Sequence, residues 1–160
     1  ADVKSAAQEV REGLVACGLD CVPMVTGGKG VHVIVPLRRI SGWDTVKYFA
    51  RTLARILADR APDSYTATMS KSKREGRVFI DWLRNERGAT AIAPYSLRAR
   101  PGAAIAVPVT WKELDALDRP DGLHIGDIAE RLTRACPLEG TTPRGIGKQA
   151  VAALEDWSAS

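Results

Sequence analysis

The sequence has only three cysteines and no long apolar run. These two features exclude disulfide-rich proteins and proteins that span a membrane. Cys17, Cys21 and Cys136 are odd in number and lack the spacing of zinc ligands. They are therefore interpreted as reduced thiols in a cytoplasmic protein, not as a disulfide framework or a zinc site. No apolar segment approaches the length that crosses a bilayer, and no signal peptide is evident, so we expect no membrane partner. The sequence also lacks a Walker A loop and the G-x-G-x-x-G fingerprint of dinucleotide-binding proteins.

The charge of the chain is modestly positive and concentrated in its middle. The 160 residues include 23 Lys and Arg against 19 Asp and Glu, a net charge of +4, which favours anionic partners only mildly. Arginine is well suited to bidentate contact with phosphate, although a solvated surface is the default for most arginines. The central arginines are Arg38, Arg39, Arg74, Arg77, Arg84, Arg87, Arg98 and Arg100.

Helical and extended patterns alternate irregularly along the chain. This favours an α+β (mixed α/β) fold, with a mixed and largely antiparallel sheet flanked by helices. The length fits a single domain over residues 1–160, and the absence of an initial methionine suggests a chain that is incomplete at its N-terminus. The predicted helices cover residues 2–17, 41–59, 111–117, 125–135 and 148–157, and the predicted strands cover 21–25, 31–35, 64–69, 78–83, 90–94 and 105–109.

The first informative stretch is a glycine-rich turn between the strands 21–25 and 31–35. Thr26-Gly27-Gly28-Lys29-Gly30 combines a hydroxyl, three glycines and a lysine, and His32 follows on the second strand. Glycines allow a backbone to approach a ligand closely, and successive N–H groups in such a turn bind anions. The stretch predicts either a phosphate cradle with a histidine beside it or only a basic hairpin turn.

The second informative stretch is Val78-Phe79-Ile80-Asp81-Trp82-Leu83, a strong strand pattern that contains one carboxylate. A buried charge is costly unless it is paired or bound to a metal. Asp81 is therefore interpreted in one of two ways. It forms a salt bridge with a nearby arginine, or it acts as a metal ligand or general base.

Four separated segments together resemble a known family. Residues 26–32, 74–85, 87–103 and 107–114 are similar, in order and spacing, to the polymerase domain of bacterial ligase D. That domain belongs to the archaeo-eukaryotic primase superfamily and acts in non-homologous end joining. The resemblance extends from the first helix to about residue 135, and the remaining tail, residues 136–160, is a predicted loop followed by a terminal helix.

The resemblance implies a primase-polymerase-like catalytic core that transfers nucleotides to a DNA 3′ end with Mn²⁺ or Mg²⁺, which clamp the hydroxyl and the triphosphate. NTPs or dNTPs are the implied substrates, and gapped or 5′-phosphorylated DNA ends are the implied partners. Ligase or nuclease domains are further possible partners, and the implied location is the nucleoid of a bacterial cytoplasm. Asp81 matches a metal carboxylate, and the residues that match triphosphate contacts are Thr26, Lys29, His32, Arg74 and Arg98.

Two departures from the family pattern qualify this expectation. Thr26 stands where the family has serine, so the hydroxyl remains but an extra methyl group is added. More seriously, the family holds its metals with three carboxylates, two of them in a D-x-D motif, and no D-x-D occurs in this sequence. The nearest pattern, Glu113-Leu114-Asp115, is on a predicted helix whose positions i and i+2 diverge. We therefore expect the C-terminal half of a polymerase domain, with a non-catalytic nucleotide-binding or DNA-binding module or a structural remnant as the alternatives.

Overall fold

The computed structural model describes residues 2–99 and 101–159, which fold as helices packed on short strands. The element bounds follow in chain order. They are α1 (Val3–Ala16), β1 (Val22–Val25), β2 (Val31–Ile34), α2 (Trp43–Arg60), β3 (Tyr65–Thr66), β4 (Val78–Phe79), β5 (Val107–Pro108), α3 (Trp111–Ala116), α4 (Ile128–Leu132) and α5 (Lys148–Ser158), with 3₁₀ turns at Lys71–Arg74 and Ile125–Asp127.

The strands form two small sheets, one antiparallel and one parallel. The first has the order β2-β1-β5, with both pairs antiparallel, so β1 is central and is buried along its whole length. The second contains β3 and β4 in parallel. The predicted hairpin is confirmed because Val25 of β1 pairs with Val31 of β2 across the glycine turn. The predicted mixed, largely antiparallel α+β architecture is also confirmed.

Helices α1, α2 and α5 surround the larger of two apolar cores. Helix α1 begins where it does because the Asp2 carboxylate accepts hydrogen bonds from the backbone N–H groups of Lys4 and Ser5, at 2.7 and 3.0 Å. The buried core side chains come from all three helices and the segments between them. They are Leu14, Cys17, Leu19, Phe49, Leu53, Leu57, Ile146, Ala150 and Leu154.

The second core lies under the antiparallel sheet and includes Val25, Ile105, Val107, Val109 and Leu114. Helix α3 contributes Leu114 to this core. The helix begins with a capping box, in which the Thr110 hydroxyl accepts from the Glu113 N–H, while the Glu113 carboxylate accepts from the Thr110 N–H. None of the helices in the described ranges is both long and apolar enough to cross a bilayer.

Five predicted elements differ from the structure. The strands predicted over 64–69 and 105–109 are limited to Tyr65–Thr66 and Val107–Pro108. The strand predicted over 78–83 is limited to Val78–Phe79. Beyond it the Ala67 carbonyl accepts from the Trp82 indole N–H, and the Leu83 backbone N–H donates to the Asp81 carboxylate. The strand predicted over 90–94 is wrong, since those residues form no ladder. The helix predicted over 125–135 is a 3₁₀ turn followed by the short α4.

Candidate active site

A cavity of about 780 Å³ opens between strand β2, helices α1 and α2, and the segment that follows β4. Its wall includes four of the six predicted site residues, namely Thr26, His32, Asp81 and Arg98. These residues come from three separated parts of the sequence. The cavity therefore combines a hydroxyl, an imidazole, a carboxylate and a guanidinium against a mostly apolar lining.

The glycine turn positions Arg98. Gly27 has a φ of +63°, and a Cβ atom built on it would lie 2.7 Å from Cγ of Arg98 and 3.0 Å from the Ile105 carbonyl carbon. Only glycine leaves that space open while adopting this backbone conformation. The Arg98 N–H donates to the Ala104 carbonyl at 2.8 Å, which fixes the arginine backbone over the turn.

Thr26 closes the turn with its side chain. Its hydroxyl donates to the Gly30 carbonyl at 2.9 Å, and the Thr26 backbone N–H approaches the same oxygen at 3.3 Å. A hydroxyl has one proton to donate. In this arrangement Thr26 therefore offers a ligand only acceptor capacity, and its predicted contact with a triphosphate requires this hydrogen bond to be exchanged.

His32 lies on β2 opposite Met24 and is half-buried in the cavity wall. Burial lowers the pKa of His32, the nearby Asp81 carboxylate raises it, and the Arg84 guanidinium lowers it, with a net pKa below the usual 6.5. The imidazole is therefore mainly neutral at pH 7, and a bound anion would favour its protonated form.

Asp81 differs from the sequence expectation in its surroundings. It is exposed and lies just beyond β4, not buried within a strand. Within residues 2–99 and 101–159 it takes part in no ion pair, so the predicted salt bridge to an arginine is not formed. Its carboxylate instead accepts from the Leu83 N–H at 3.0 Å and faces the cavity that contains His32.

The donor set does not complete a metal site. Among the described residues no group of three His, Cys, Asp or Glu side chains is placed to hold a metal ion. Divalent magnesium and manganese are bound by several oxygen ligands, and Asp81 supplies one carboxylate. The residues present therefore fit one ligand position and not a two-metal centre.

The Glu113-Leu114-Asp115 pattern does not replace the absent D-x-D. Glu113 is committed to the capping box and to Arg131, and Asp115 accepts from the Gln8 amide at 2.9 Å. Partial burial raises the pKa of Glu113, but hydrogen bonds from Arg131 and Thr110 outweigh it and lower the pKa to about 2. Both carboxylates therefore serve the packing of α3.

Lys29 and Arg74 lie outside the cavity wall. Lys29 is exposed at the tip of the turn. The Arg74 guanidinium stacks 3.8 Å from the centroid of Phe79 and donates to the Met69 carbonyl at 2.7 Å. Phe79 itself lines the cavity, so Arg74 contacts the cavity wall only through the Phe79 ring. The Nε atom of Arg74 is buried without a hydrogen-bond partner in the described residues.

Three wall residues with hydrogen-bonding side chains were not selected from the sequence as site residues, namely Trp82, Arg84 and Asn85. All three follow Asp81 directly. Asn85 donates to the Trp82 carbonyl at 3.0 Å, which holds the turn. The signal available in the sequence was their proximity to Asp81, but a strand over 78–83 would have pointed alternate side chains away from one another. The turn instead brings several of them to one cavity.

Comparison with known proteins identifies the family of this chain. The model of the LigD primase-polymerase domain matches residues 1–138. The chain belongs to the LigD primase-polymerase domain family. The resemblance drawn from the four sequence segments is thereby confirmed.

Curated relatives of this LigD-type chain carry the same description. The multifunctional non-homologous end joining protein LigD of Pseudomonas aeruginosa is 42% identical over 115 residues, covering 72% of this chain and 14% of that protein. The LigD protein of Mycolicibacterium smegmatis is 37% identical over 143 residues, covering 82% of this chain and 18% of that protein. The chain thus spans less than a fifth of the length of these two bacterial DNA-repair proteins.

A solved structure supports the LigD fold directly. The polymerase domain from Mycobacterium tuberculosis ligase D in complex with DNA matches with a TM-score of 0.78 and 37% identity, over 85% of this chain and 47% of that chain. The chain therefore has the fold of a LigD polymerase domain and corresponds in extent to about half of this one.

Proposed function

We propose that this chain binds the triphosphate of an incoming NTP or dNTP for nucleotidyl transfer at DNA ends. The observation that carries the proposal is the convergence of Thr26, His32, Asp81 and Arg98 on one cavity. Arg98 offers guanidinium donors and His32 an imidazole that becomes cationic near an anion. We expect Lys29 and Arg74 to contact the triphosphate as well, once the tip of the turn and the contact between Arg74 and Phe79 rearrange around the bound ligand.

Asp81 is proposed as one metal carboxylate of three, since it faces the same cavity as the triphosphate ligands. Bound Mn²⁺ or Mg²⁺ would neutralise charge on the triphosphate and activate the attacking 3′ hydroxyl. The other two carboxylates, in a D-x-D motif, would come from an N-terminal polymerase half, on the same polypeptide or on another. This chain would then be the C-terminal part of the domain, with its core in residues 1–135.

Two observations support DNA ends as the partner. The solved relative is in complex with DNA, and the curated relatives are named as end-joining proteins. We propose gapped, 5′-phosphorylated DNA as the substrate, acting with the ligase or nuclease modules of a longer protein in the bacterial nucleoid. The positive net charge of the chain is consistent with this partner.

The test is primer extension on gapped, 5′-phosphorylated DNA with Mn²⁺ and either rNTPs or dNTPs. The chain alone should bind NTP without extending the primer. Addition of the N-terminal half of the M. tuberculosis ligase D polymerase domain, expressed separately, should produce extension. Asp81→Asn should abolish that extension, whereas Asp115→Asn, which removes a carboxylate outside the cavity, should preserve it. Extension unaffected by Asp81→Asn would contradict the metal role.

A second candidate function is a non-catalytic nucleotide-binding or DNA-binding module. It is favoured by the absence of a D-x-D from the sequence and of a three-ligand metal cluster from the described residues. This candidate predicts NTP binding that EDTA does not change and that weakens with salt. Binding that collapses with EDTA would count against it and in favour of the metal-dependent function.

A further inference from the structure

A second cavity, of about 440 Å³, shares the wall residue Trp82 with the candidate active site. Its wall is formed by the second half of α2, by β3 and the residues after it, and by Arg77. Trp82 lines both cavities, so they are neighbours. We call this cavity the arginine groove, because its wall contains Arg51, Arg55 and Arg77.

The arginine groove carries more positive charge than its own carboxylates offset. Its wall has three arginines against one acidic residue, Asp59. None of the three arginines takes part in an ion pair within residues 2–99 and 101–159. Like charges gathered around one cavity repel one another, so the arrangement is suited to an anionic ligand.

Two of the arginines are held in place without using up their donors. The Arg51 guanidinium lies 5.2 Å from the centroid of the Trp82 ring, a cation–π contact that occupies no N–H group. Arg77 donates one N–H to the Pro62 carbonyl at 3.2 Å, and a guanidinium has five donors. Both side chains are therefore pre-positioned with free donors, which lowers the entropy lost when they bind a ligand.

The shape of the groove favours a polynucleotide over a free nucleotide. Arg51 and Arg55 are one helical turn apart on the same face of α2, about 6 Å along its axis, and all three arginines are exposed. A row of separated cations on an open surface matches successive phosphates of a strand, whereas a single triphosphate is better enclosed by a glycine turn such as residues 26–30. The position next to Trp82 and Asp81 places the row beside the candidate active site.

We propose that the arginine groove binds the phosphodiester backbone of the DNA strand whose 3′ end enters the cavity of Asp81. The inference rests on the proposed function for the location of that 3′ end. Binding of the backbone by Arg51, Arg55 and Arg77 is electrostatic and independent of base sequence.

The test measures binding of a fluorescently labelled single-stranded oligonucleotide by anisotropy over a range of salt concentrations. The double variant Arg51→Gln/Arg55→Gln should bind about tenfold or more weakly, and the slope of log affinity against log salt should fall by about one to two. The charge-matched control Arg119→Gln/Lys148→Gln, whose residues lie outside both cavity walls, should change affinity less. Asp59→Asn, which removes the carboxylate of the groove, should strengthen binding.

ATP titration separates this inference from the proposed function. The groove double variant should keep its ATP affinity within about twofold, whereas Arg98→Gln should lose it. If the chain binds no ATP but oligonucleotide binding still depends on the groove, the proposed function fails and the backbone site stands. Unchanged oligonucleotide affinity in a folded groove variant overturns the inference, and so does a groove variant that loses ATP affinity and not oligonucleotide affinity.

Discussion

His32 is the residue whose chemistry depends most on what enters the cavity. In the free chain its imidazole is half-buried and its pKa lies below 6.5, mainly because burial disfavours the charged form. A triphosphate brings several negative charges to the same cavity. Those charges favour the imidazolium and raise the pKa, so ligand binding and protonation of His32 strengthen each other.

We therefore predict that the ratio of the ATP affinity of the native chain to that of His32→Gln increases as the pH falls from 8 to 6, because only the native chain gains a cationic imidazole. His32→Gln should retain only the dependence that belongs to the nucleotide. Isothermal titration calorimetry in buffers of different ionisation enthalpy measures the proton uptake directly. Equal proton uptake by the native chain and by His32→Gln would contradict the placement of the triphosphate against His32.

Among the structural elements, the glycine turn links backbone conformation to the site. Gly27 combines a positive φ with a space that Arg98 and the Ile105 backbone close. Gly30 in the same turn has no heavy atom nearer than Thr26 Oγ1 at 3.8 Å to an added Cβ. The two glycines therefore form a matched pair of test positions. Alanine at position 27 introduces backbone strain and a steric clash, whereas alanine at position 30 only reduces the flexibility of the turn.

Gly27→Ala should lower the free energy of unfolding by about 1–3 kcal/mol, because alanine is strained at this φ and its methyl group displaces Arg98 and the Ile105 backbone. It should also weaken ATP binding. Gly30→Ala should change both quantities much less. Urea unfolding followed by circular dichroism, together with ATP titration, measures the two effects. Similar results for the two variants would show that the turn does not position Arg98.

The terminal helix α5 belongs to the main core. Leu154 is fully buried in the cluster of Leu14, Leu53 and Leu57, and a Cβ on Gly13 of α1 would meet Leu53 and Trp157 at under 3.0 Å. The helix therefore packs closely on both α1 and α2, and its side chains complete the apolar surface that those two helices share.

We predict that Leu154→Ala lowers the free energy of unfolding by about 2–5 kcal/mol, since it leaves a cavity in a packed core. Leu132→Ala, at a side chain that is 65% exposed, should change it by no more than about 0.5 kcal/mol. Chemical denaturation of both variants tests this. If Leu154→Ala were as mild as Leu132→Ala, α5 would not be part of the cooperative core.

At the scale of the whole molecule, sequence patterns predicted the long helices and the hairpin better than the later strands. Helices α1, α2 and α5 have apolar faces that local periodicity makes visible. The segment after Phe79 has the composition of a strand, but its path is set by contacts distant in sequence, notably the Trp82 indole with the Ala67 carbonyl. Local pattern carries no information about such a contact, so the exposure of Asp81 was not predictable from it.

The site residues also differ in how well the sequence predicted their positions. Thr26, His32, Asp81 and Arg98 were selected from the resemblance to the ligase D polymerase family, and the fold brings them to one cavity. Lys29 and Arg74 were recognised in the same way but lie outside its wall. Lys29 is exposed at the tip of the turn, and Arg74 stacks on Phe79. The sequence motifs carry no information about either placement. The functional roles of all six residues remain predictions.

The proposed function requires that the cavity of His32, Asp81 and Arg98 holds a nucleoside triphosphate. The most direct measurement is calorimetric titration of ATP, with Mg²⁺, into the native chain, into Arg98→Gln and into Arg119→Gln, whose altered arginine pairs with Asp121 away from the cavity. We predict that Arg98→Gln weakens ATP binding about tenfold or more and that Arg119→Gln changes it by less than about twofold. Absence of ATP binding by the native chain, or equal binding by the two variants, would contradict it.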